Sequence, residues 1–279
     1  RSIVEIGVED GQQTELLLHY AKKRNATLHS IDPVEPTTLP TWKETYGETF
    51  QFYKALSVQA LPILKEYDAV LIDGDHNWYT VHRELMEIDR RAKSMADFPL
   101  VILHDVGWPY GRRDQYCDPH NIPAAERQPY AVDGVHMDWE RLDANGINAQ
   151  YAHAERIGGP RNGVLTAIED FLAQSTEELS YVQIKGLHGL GIIVSKRRLK
   201  NNEALARCAS ALRMPSFSSA DLQACQPAFD LLAFAEMLRQ RYSVGRTEIA
   251  LALAAATGLQ AVDTKNIQVA DEVKVEQVQ

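Results

Sequence analysis

Residues 67–105 read YDAVLIDGDHNWYTVHRELMEIDRRAKSMADFPLVILHD, and this stretch decides the fold. Ala69 to Ile72 is apolar without a break, which marks a strand covered on both faces. Val81, Leu85, Ile88 and Ala92 then recur at i, i+4, i+7 and i+11, one face of an amphipathic helix. Leu100 to Leu103 is a second wholly apolar strand. A buried strand, a helix and another buried strand make a parallel pair joined by a helical crossover. Acids and histidines follow both strands: Asp73, Asp75 and His76 after the first, His104 and Asp105 after the second.

Upstream the same alternation continues. Ser2 to Ile6 reads as a strand, Gly7 to Gly11 as a turn, and Gln12 to Arg24 as a helix with Leu16, Leu17, Tyr20 and Ala21 on one face. Thr27 to Ile31 is a strand stopped by Asp32-Pro33. Pro36, Pro40 and Trp42 lead into a short helix ending near Gly47, and Phe50 to Ala55 is a third strand. Val58 to Lys65 is helical but irregular, because Pro62 removes a backbone donor inside it. The fold class is therefore α/β: a doubly wound, mostly parallel, Rossmann-like sheet. In such sheets ligands bind beyond the carboxyl ends of the strands, so the loops after Ile6, Ile31, Ile72 and Leu103 are the places to search.

Downstream, Val106 to Pro160 breaks the pattern and is rich in Pro, Tyr, Trp, His, Arg and Asp. A loop of that length in a compact domain is usually functional, and its aromatic content argues against disorder. Val164, Ile168, Phe171 and Leu172 resume a helix; Tyr181 to Ile184 and Gly191 to Val194, joined through Gly186-Leu187-His188-Gly189, form a closing antiparallel hairpin. The expected organisation is a domain over 1–197, with 106–160 as an acceptor-side insertion, and a helical extension over 198–279. The extension carries apolar stripes at Leu205/Cys208/Ala209/Leu212, Leu231/Ala235/Leu238/Tyr242 and Ile249/Ala252/Leu253/Ala256, which fit internal packing or a homodimer surface.

Composition bounds the function. With 29 basic against 38 acidic residues the formal charge is −9, so no nucleic-acid partner is expected. Cys117, Cys208 and Cys225 are scattered and form no CxxC pair, which fits reduced thiols and a cytoplasmic location. No transmembrane segment or signal peptide is read. The chain opens inside a strand without an initiator Met, so upstream sequence is expected.

Val4-Glu5-Ile6-Gly7-Val8-Glu9-Asp10-Gly11 places two glycines four apart directly after the first strand, where the backbone can approach a ligand closely. This is not GxGxxG, which disfavours a dinucleotide pyrophosphate and an NAD-dependent oxidoreductase. Glu5 lies at the strand end, and Asp32 follows the second strand, where an acid accepts hydrogen bonds from both hydroxyls of a ribose. Acids here suit a cofactor with a ribose and a positive charge but no phosphates, such as S-adenosyl-L-methionine.

The runs VEIGVEDGQQT, HSIDP, YDAVLIDGDHNWYTVHREL and VILHDV resemble the class I S-adenosylmethionine-dependent methyltransferases. Within them the chain is most similar to the macrocin-type and polysaccharide sugar O-methyltransferases. The resemblance covers residues 2 to about 105 well. It implies that Gly7 and Gly11 approach the methionine part, that Asp32 holds the ribose, and that Ser57 falls near the adenine; Glu5 and Asp73 complete the cofactor group.

Asp73, His104 and Asp105 can converge on a hard divalent cation such as Mg²⁺, as in several members of the resembled group. Imidazole is a poor Mg²⁺ ligand, so His104 alternatively acts as a base or favours a softer metal. Transfer of a methyl to a hydroxyl needs a base or a metal to activate the oxygen, and His76, His104 and His136 are the candidate bases. Trp108, Tyr110, Arg112, Arg113, Tyr116, Tyr130 and Trp139 fall in or near the insertion, and either stack on and clamp a sugar or glycan acceptor or form a satellite core beneath the loop. The function expected is O-methylation of a sugar, glycan or glycosylated natural product. The non-enzymatic alternative is a cofactor- or partner-binding domain of a larger glycan-assembly protein.

Overall fold

A computed structural model describes residues 1–207 apart from 138, 185–187 and 204. Its first half runs β1 (Ser2–Ile6), α1 (Gln12–Arg24), β2 (Thr27–Ile31), α2 (Leu39–Tyr46), β3 (Phe50–Tyr53), α3 (Ser57–Ala60), β4 (Ala69–Ile72), α4 (Trp78–Met95) and β5 (Leu100–His104). The insertion contributes β6 (Gln115–Tyr116), β7 (Tyr130–Val132) and β8 (Ala152–Ala154). The chain then forms α5 (Val164–Gln174), β9 (Leu179–Ile184), β10 (Leu190–Ser195) and α6 (Lys196–Asn201).

One sheet of seven strands has the order β3-β2-β1-β4-β5-β10-β9. The neighbours among β1 to β5 are parallel, and β10 is antiparallel to both β5 and β9. This is the doubly wound, mostly parallel sheet with a closing hairpin that the sequence predicts. Its register levels the strand ends. Ile6 stands opposite both Ile31 and Ile72, and Ile72 stands opposite Leu103. The loops carrying Gly7, Asp32, Asp73 and Asp105 therefore leave the sheet along one edge.

Each face of the sheet is covered by its own core. Val4, Ile6, Val70, Ile72, Val101 and Leu103 pack with α4 and α5, and the predicted stripe Val81, Leu85, Ile88 and Ala92 is wholly buried there. Helix α4 starts cleanly because Asn77 Oδ1 accepts from the Thr80 amide at 2.9 Å. Ile3 and Leu28 pack on the other face with α1 and α2. On α1 the structure corrects the expected face. Thr14, Leu18 and Ala21 are buried, whereas Leu16 and Tyr20 are 71% and 52% exposed. The Thr14 hydroxyl turns inward to donate to Glu5 Oε2 at 2.9 Å, so a polar residue occupies the buried stripe and an apolar count misses it. Strand β3 ends at Tyr53, two residues early. The stretch around Pro62 divides into α3 and a 3-10 turn over Leu61–Ile63, the irregularity proline imposes.

The insertion is ordered as a three-stranded antiparallel sheet, β6-β8-β7. Asp114 ties it to the main domain. Oδ1 accepts from the amides of Trp78 at 2.7 Å and Gly163 at 2.6 Å, the first residue of α4 and the residue preceding α5. Arg198 of α6 donates to the Asp68 carbonyl at 2.9 Å and pairs with Asp97 at 3.1 Å, closing the end of the sheet. No helix among the described residues is long and apolar enough to cross a membrane. The apolar stripes from Cys208 onward, and Cys225, lie outside the described residues.

Candidate active site

The glycine turn is tight for reasons internal to the fold. A Cβ at Gly7 would stand 2.1 Å from the Asp73 carbonyl oxygen, and one at Gly11 would stand 2.1 Å from the Trp42 indole. Both residues have positive φ, +89° and +83°. Asp32 pins the turn, with Oδ2 accepting from the Val8 amide at 2.8 Å and Oδ1 from Val34 at 2.8 Å. Glu5 sits beneath it with no exposed surface. Its Oε2 accepts from Thr14 and from Ser30 at 2.6 Å, while Oε1 has no hydrogen-bond partner. Burial pushes its carboxyl up to about 7. Ser57 begins α3 and is buried beside Glu84 of α4. Neither carboxyl oxygen of Glu84 makes a well-formed hydrogen bond, and burial raises it to about 8 against the opposing pull of the Ser57 hydroxyl.

The ends of β4 and β5 bring acids and imidazoles together. His104 Nδ1 lies 3.1 Å from Asp73 Oδ1 and 3.0 Å from Asp105 Oδ2. His76 Nδ1 lies 3.1 Å from Asp105 Oδ2, and its Nε2 lies 3.7 Å from Asp73 Oδ1. His188, from the turn before β10, places Nδ1 2.8 Å from Asp105 Oδ1. Burial opposes ionisation of Asp105. The charge of His76 and the hydrogen bonds from His104 and His188 overcome it and hold the carboxyl well below the usual range. Hydrogen bonds to Asp105 and then Asp73 raise His104 to about 10. At neutral pH His104 is therefore an imidazolium bridging two carboxylates, and is ill-suited to be a base in this state.

Asp73, His76 and Asp105 offer ligand atoms all within 4.8 Å of one another. Sequence reasoning expects His104 beside the two acids, and it stands there; His76 joins them from the other strand end, with its Nδ1 buried and without a well-formed hydrogen bond. Two carboxylates and an imidazole fit a divalent cation, and the nitrogen favours Mn²⁺, Fe²⁺ or Zn²⁺ over Mg²⁺. Asp75 has a structural part. It accepts from the hydroxyl of Thr80 and the side-chain amide of Asn77 on one side and from the Cys117 amide on the other, joining α4 to the insertion.

His136 is not brought to this cluster. Its ring packs 4.6 Å from Trp139 and its Nε2 lies 3.8 Å from Asp143. It borders a cavity of about 310 Å³ whose walls include Trp108, Arg112, Val135, Ile157 and Leu165. Other insertion residues turn inward. Arg113 is 2% exposed and donates to the Ala154 carbonyl, Tyr116 donates to Asp114 at 2.8 Å, and the Tyr110 hydroxyl bonds Asn148. Tyr116 sits in a small core of the insertion with Ile122 and Ala152, whereas Tyr110 joins the main core; the solvent-accessible part of the expected acceptor set is Trp108, Arg112, Tyr130 and Trp139. Sequence reasoning missed His188, Glu84 and the ring contact of Tyr110 with His76 at 5.2 Å. The hairpin motif held a signal for His188, since a strand returning beside β5 delivers its turn to the β5 end.

Residues 4–106 match the family model described as a methyltransferase domain. No curated protein matches the chain. Solved structures similar to it include the 1,6-didemethyltoxoflavin-N1-methyltransferase of Burkholderia thailandensis, with bound 1,6-didemethyltoxoflavin and S-adenosylhomocysteine, at 15% identity and TM-score 0.39 over 70% of each chain. The S-adenosylhomocysteine-bound methyltransferase PaMTH1 of Podospora anserina is similar at 13% identity and TM-score 0.44, over 70% of this chain and 72% of that one. The CcbJ methyltransferase of Streptomyces caelestis is similar at 11% identity and TM-score 0.39, over 70% of this chain and 83% of that one.

Proposed function

We propose that this chain is an S-adenosylmethionine-dependent O-methyltransferase acting on a hydroxyl of a sugar, glycan or glycosylated natural product, with a divalent cation at Asp73, His76 and Asp105. The observation that carries the reading is the placement of two chemistries on one sheet edge. The glycine turn and Asp32 stand after β1 and β2, and the Asp73–His76–Asp105 group stands after the neighbouring β4 and β5. The methyltransferase-domain match over residues 4–106 spans both groups.

In this reading Asp32 accepts from the ribose hydroxyls through lone pairs left free by its backbone bonds. Gly7 and Gly11 let the backbone approach the methionine part, and Ser57 lies toward the adenine. Glu5 supports the turn from beneath. A divalent cation held at the acid cluster would lower the pKa of the acceptor hydroxyl so that its proton can pass to solvent as the methyl is transferred. Asp73, His76 and Asp105 would hold the cation, and His104, 3.1 and 3.0 Å from the two carboxylates, helps to orient them. The cavity beside the Asp105 turn supplies the acceptor site. Trp108 offers an apolar wall and His136 a ring nitrogen, while the Arg112 guanidinium is already paired with Glu169 and Thr166.

The test is an acceptor screen on the purified chain with S-adenosylmethionine, read by mass for the gain of one methyl. Turnover of a hydroxylated sugar-bearing acceptor, lost on chelation and regained with Mn²⁺ or Mg²⁺, supports the reading. Methylation only of nitrogen or carbon acceptors, or activity indifferent to exhaustive chelation, overturns its finer parts.

A further inference from the structure

We infer that His188 is a positioning residue for Asp105, holding the carboxylate so that its other oxygen faces Asp73 and His76. The inference rests on the metal-assisted reading above and adds to it a residue from a different part of the fold. The hydrogen bond is direct, His188 Nδ1 donating to Asp105 Oδ1 at 2.8 Å. It leaves Oδ2, which lies 3.1 Å from His76 and 3.0 Å from His104, as the oxygen turned into the cluster.

Both residues hold uncommon backbone conformations to make this contact. Asp105 has φ of +58° and His188 has φ of +65°, and neither is glycine. Such conformations persist only where the surroundings enforce them. The enforcement is visible. The Gly107 amide donates to the His188 carbonyl, and the His188 amide donates to the Trp108 carbonyl at 2.8 Å, so the two turns are laced together. A Cβ at Gly189 would stand 2.8 Å from the Gly107 amide nitrogen, so the turns are also in close contact. The His188 ring stacks on His104 with centroids 5.4 Å apart and planes within 17°. The imidazole is thus fixed by backbone, by stacking and by its own hydrogen bond. Removing a partner that orients a ligating group in this way typically weakens metal binding about tenfold to hundredfold.

The test compares His188→Gly with His188→Asn in the full chain, using Mn²⁺ as the probe in calorimetric titration. Glycine accepts φ near +65° without strain, so His188→Gly removes the side chain and not the turn. Asparagine also tolerates this conformation, and its amide nitrogen falls close to the position of Nδ1. The expected result is a Mn²⁺ dissociation constant raised roughly tenfold to hundredfold in His188→Gly and returned close to wild type in His188→Asn. Unchanged Mn²⁺ affinity in His188→Gly, with wild type binding, overturns the inference and leaves the metal reading standing. Equal weakening in both variants also overturns it, because stacking on His104 and not the hydrogen bond would then be what matters. Failure of the wild type to bind Mn²⁺ removes the metal reading and the role of His188 together.

Discussion

Gly7 and Glu84 show how single residues constrain this molecule. A side chain at Gly7 meets the Asp73 carbonyl oxygen at 2.1 Å while the backbone holds φ of +89°, so Gly7→Ala combines strain with displacement of the β4 end. The expected loss is about 2 kcal/mol or more in urea denaturation. Stability equal to wild type would show that the two strand ends separate without cost. Glu84 makes a pH prediction. Its carboxyl is raised from 4.5 to about 8 by burial, so between those values the folded protein holds a proton that the unfolded chain has released. The folded state is therefore favoured at low pH, and this contribution is lost as pH rises from about 4.5 through about 8. Glu84→Gln keeps the shape and cannot ionise. Its melting temperature should fall less than that of wild type between pH 5 and pH 8, with the variant the more stable at the upper end by up to a few kcal/mol. Parallel profiles would show that Glu84 ionises in place with a partner of its own.

At the scale of elements, the strand ends and the insertion depend on one another. Asp114 accepts from the first amide of α4, from the amide before α5 and from the Tyr116 hydroxyl of β6, so one buried carboxylate joins two helices and the inserted sheet. Asp114→Ala leaves those donors without a partner and should cost about 2–4 kcal/mol in chemical denaturation. Asp114→Asn, which keeps an acceptor, should cost less; equal effects would mean that charge and not geometry holds the junction. Asp105→Ala acts on the other side of the same turn. It removes the common partner of His76, His104 and His188 while leaving the β1 and β2 ends untouched. Turnover should fall by at least a hundredfold with S-adenosylmethionine affinity little changed. Comparable loss of cofactor affinity would move Asp105 into the cofactor site.

For the whole molecule, what was legible in sequence followed from local pattern. The unbroken apolar runs at Ala69–Ile72 and Leu100–Leu103 and the i, i+4, i+7 stripe of α4 identify the parallel sheet, because burial on both faces leaves no polar positions to alternate. The gathering of Asp73, His76, His104 and Asp105 follows from the same logic, since neighbouring strands end level. What pattern could not supply were directions and distant partners. How closely His76 and His104 approach the two acids is set by side-chain directions that pattern does not carry. His188 arrives only through the register of β10 on β5, and the inward turn of Tyr110, Arg113 and Tyr116 depends on contacts made across the insertion. The buried face of α1 was hidden because Thr14 spends its hydroxyl on Glu5. The central claim is that the edge formed by Gly7, Gly11 and Asp32 binds S-adenosylmethionine. Calorimetric titration of the purified chain with S-adenosylmethionine, alongside NAD and with Asp32→Ala, tests it most directly. The account predicts that S-adenosylmethionine binds and NAD does not, with affinity about tenfold to hundredfold weaker in a folded Asp32→Ala variant, as loss of charged hydrogen bonds to ribose requires. Absence of S-adenosylmethionine binding, or binding indifferent to Asp32, would contradict it.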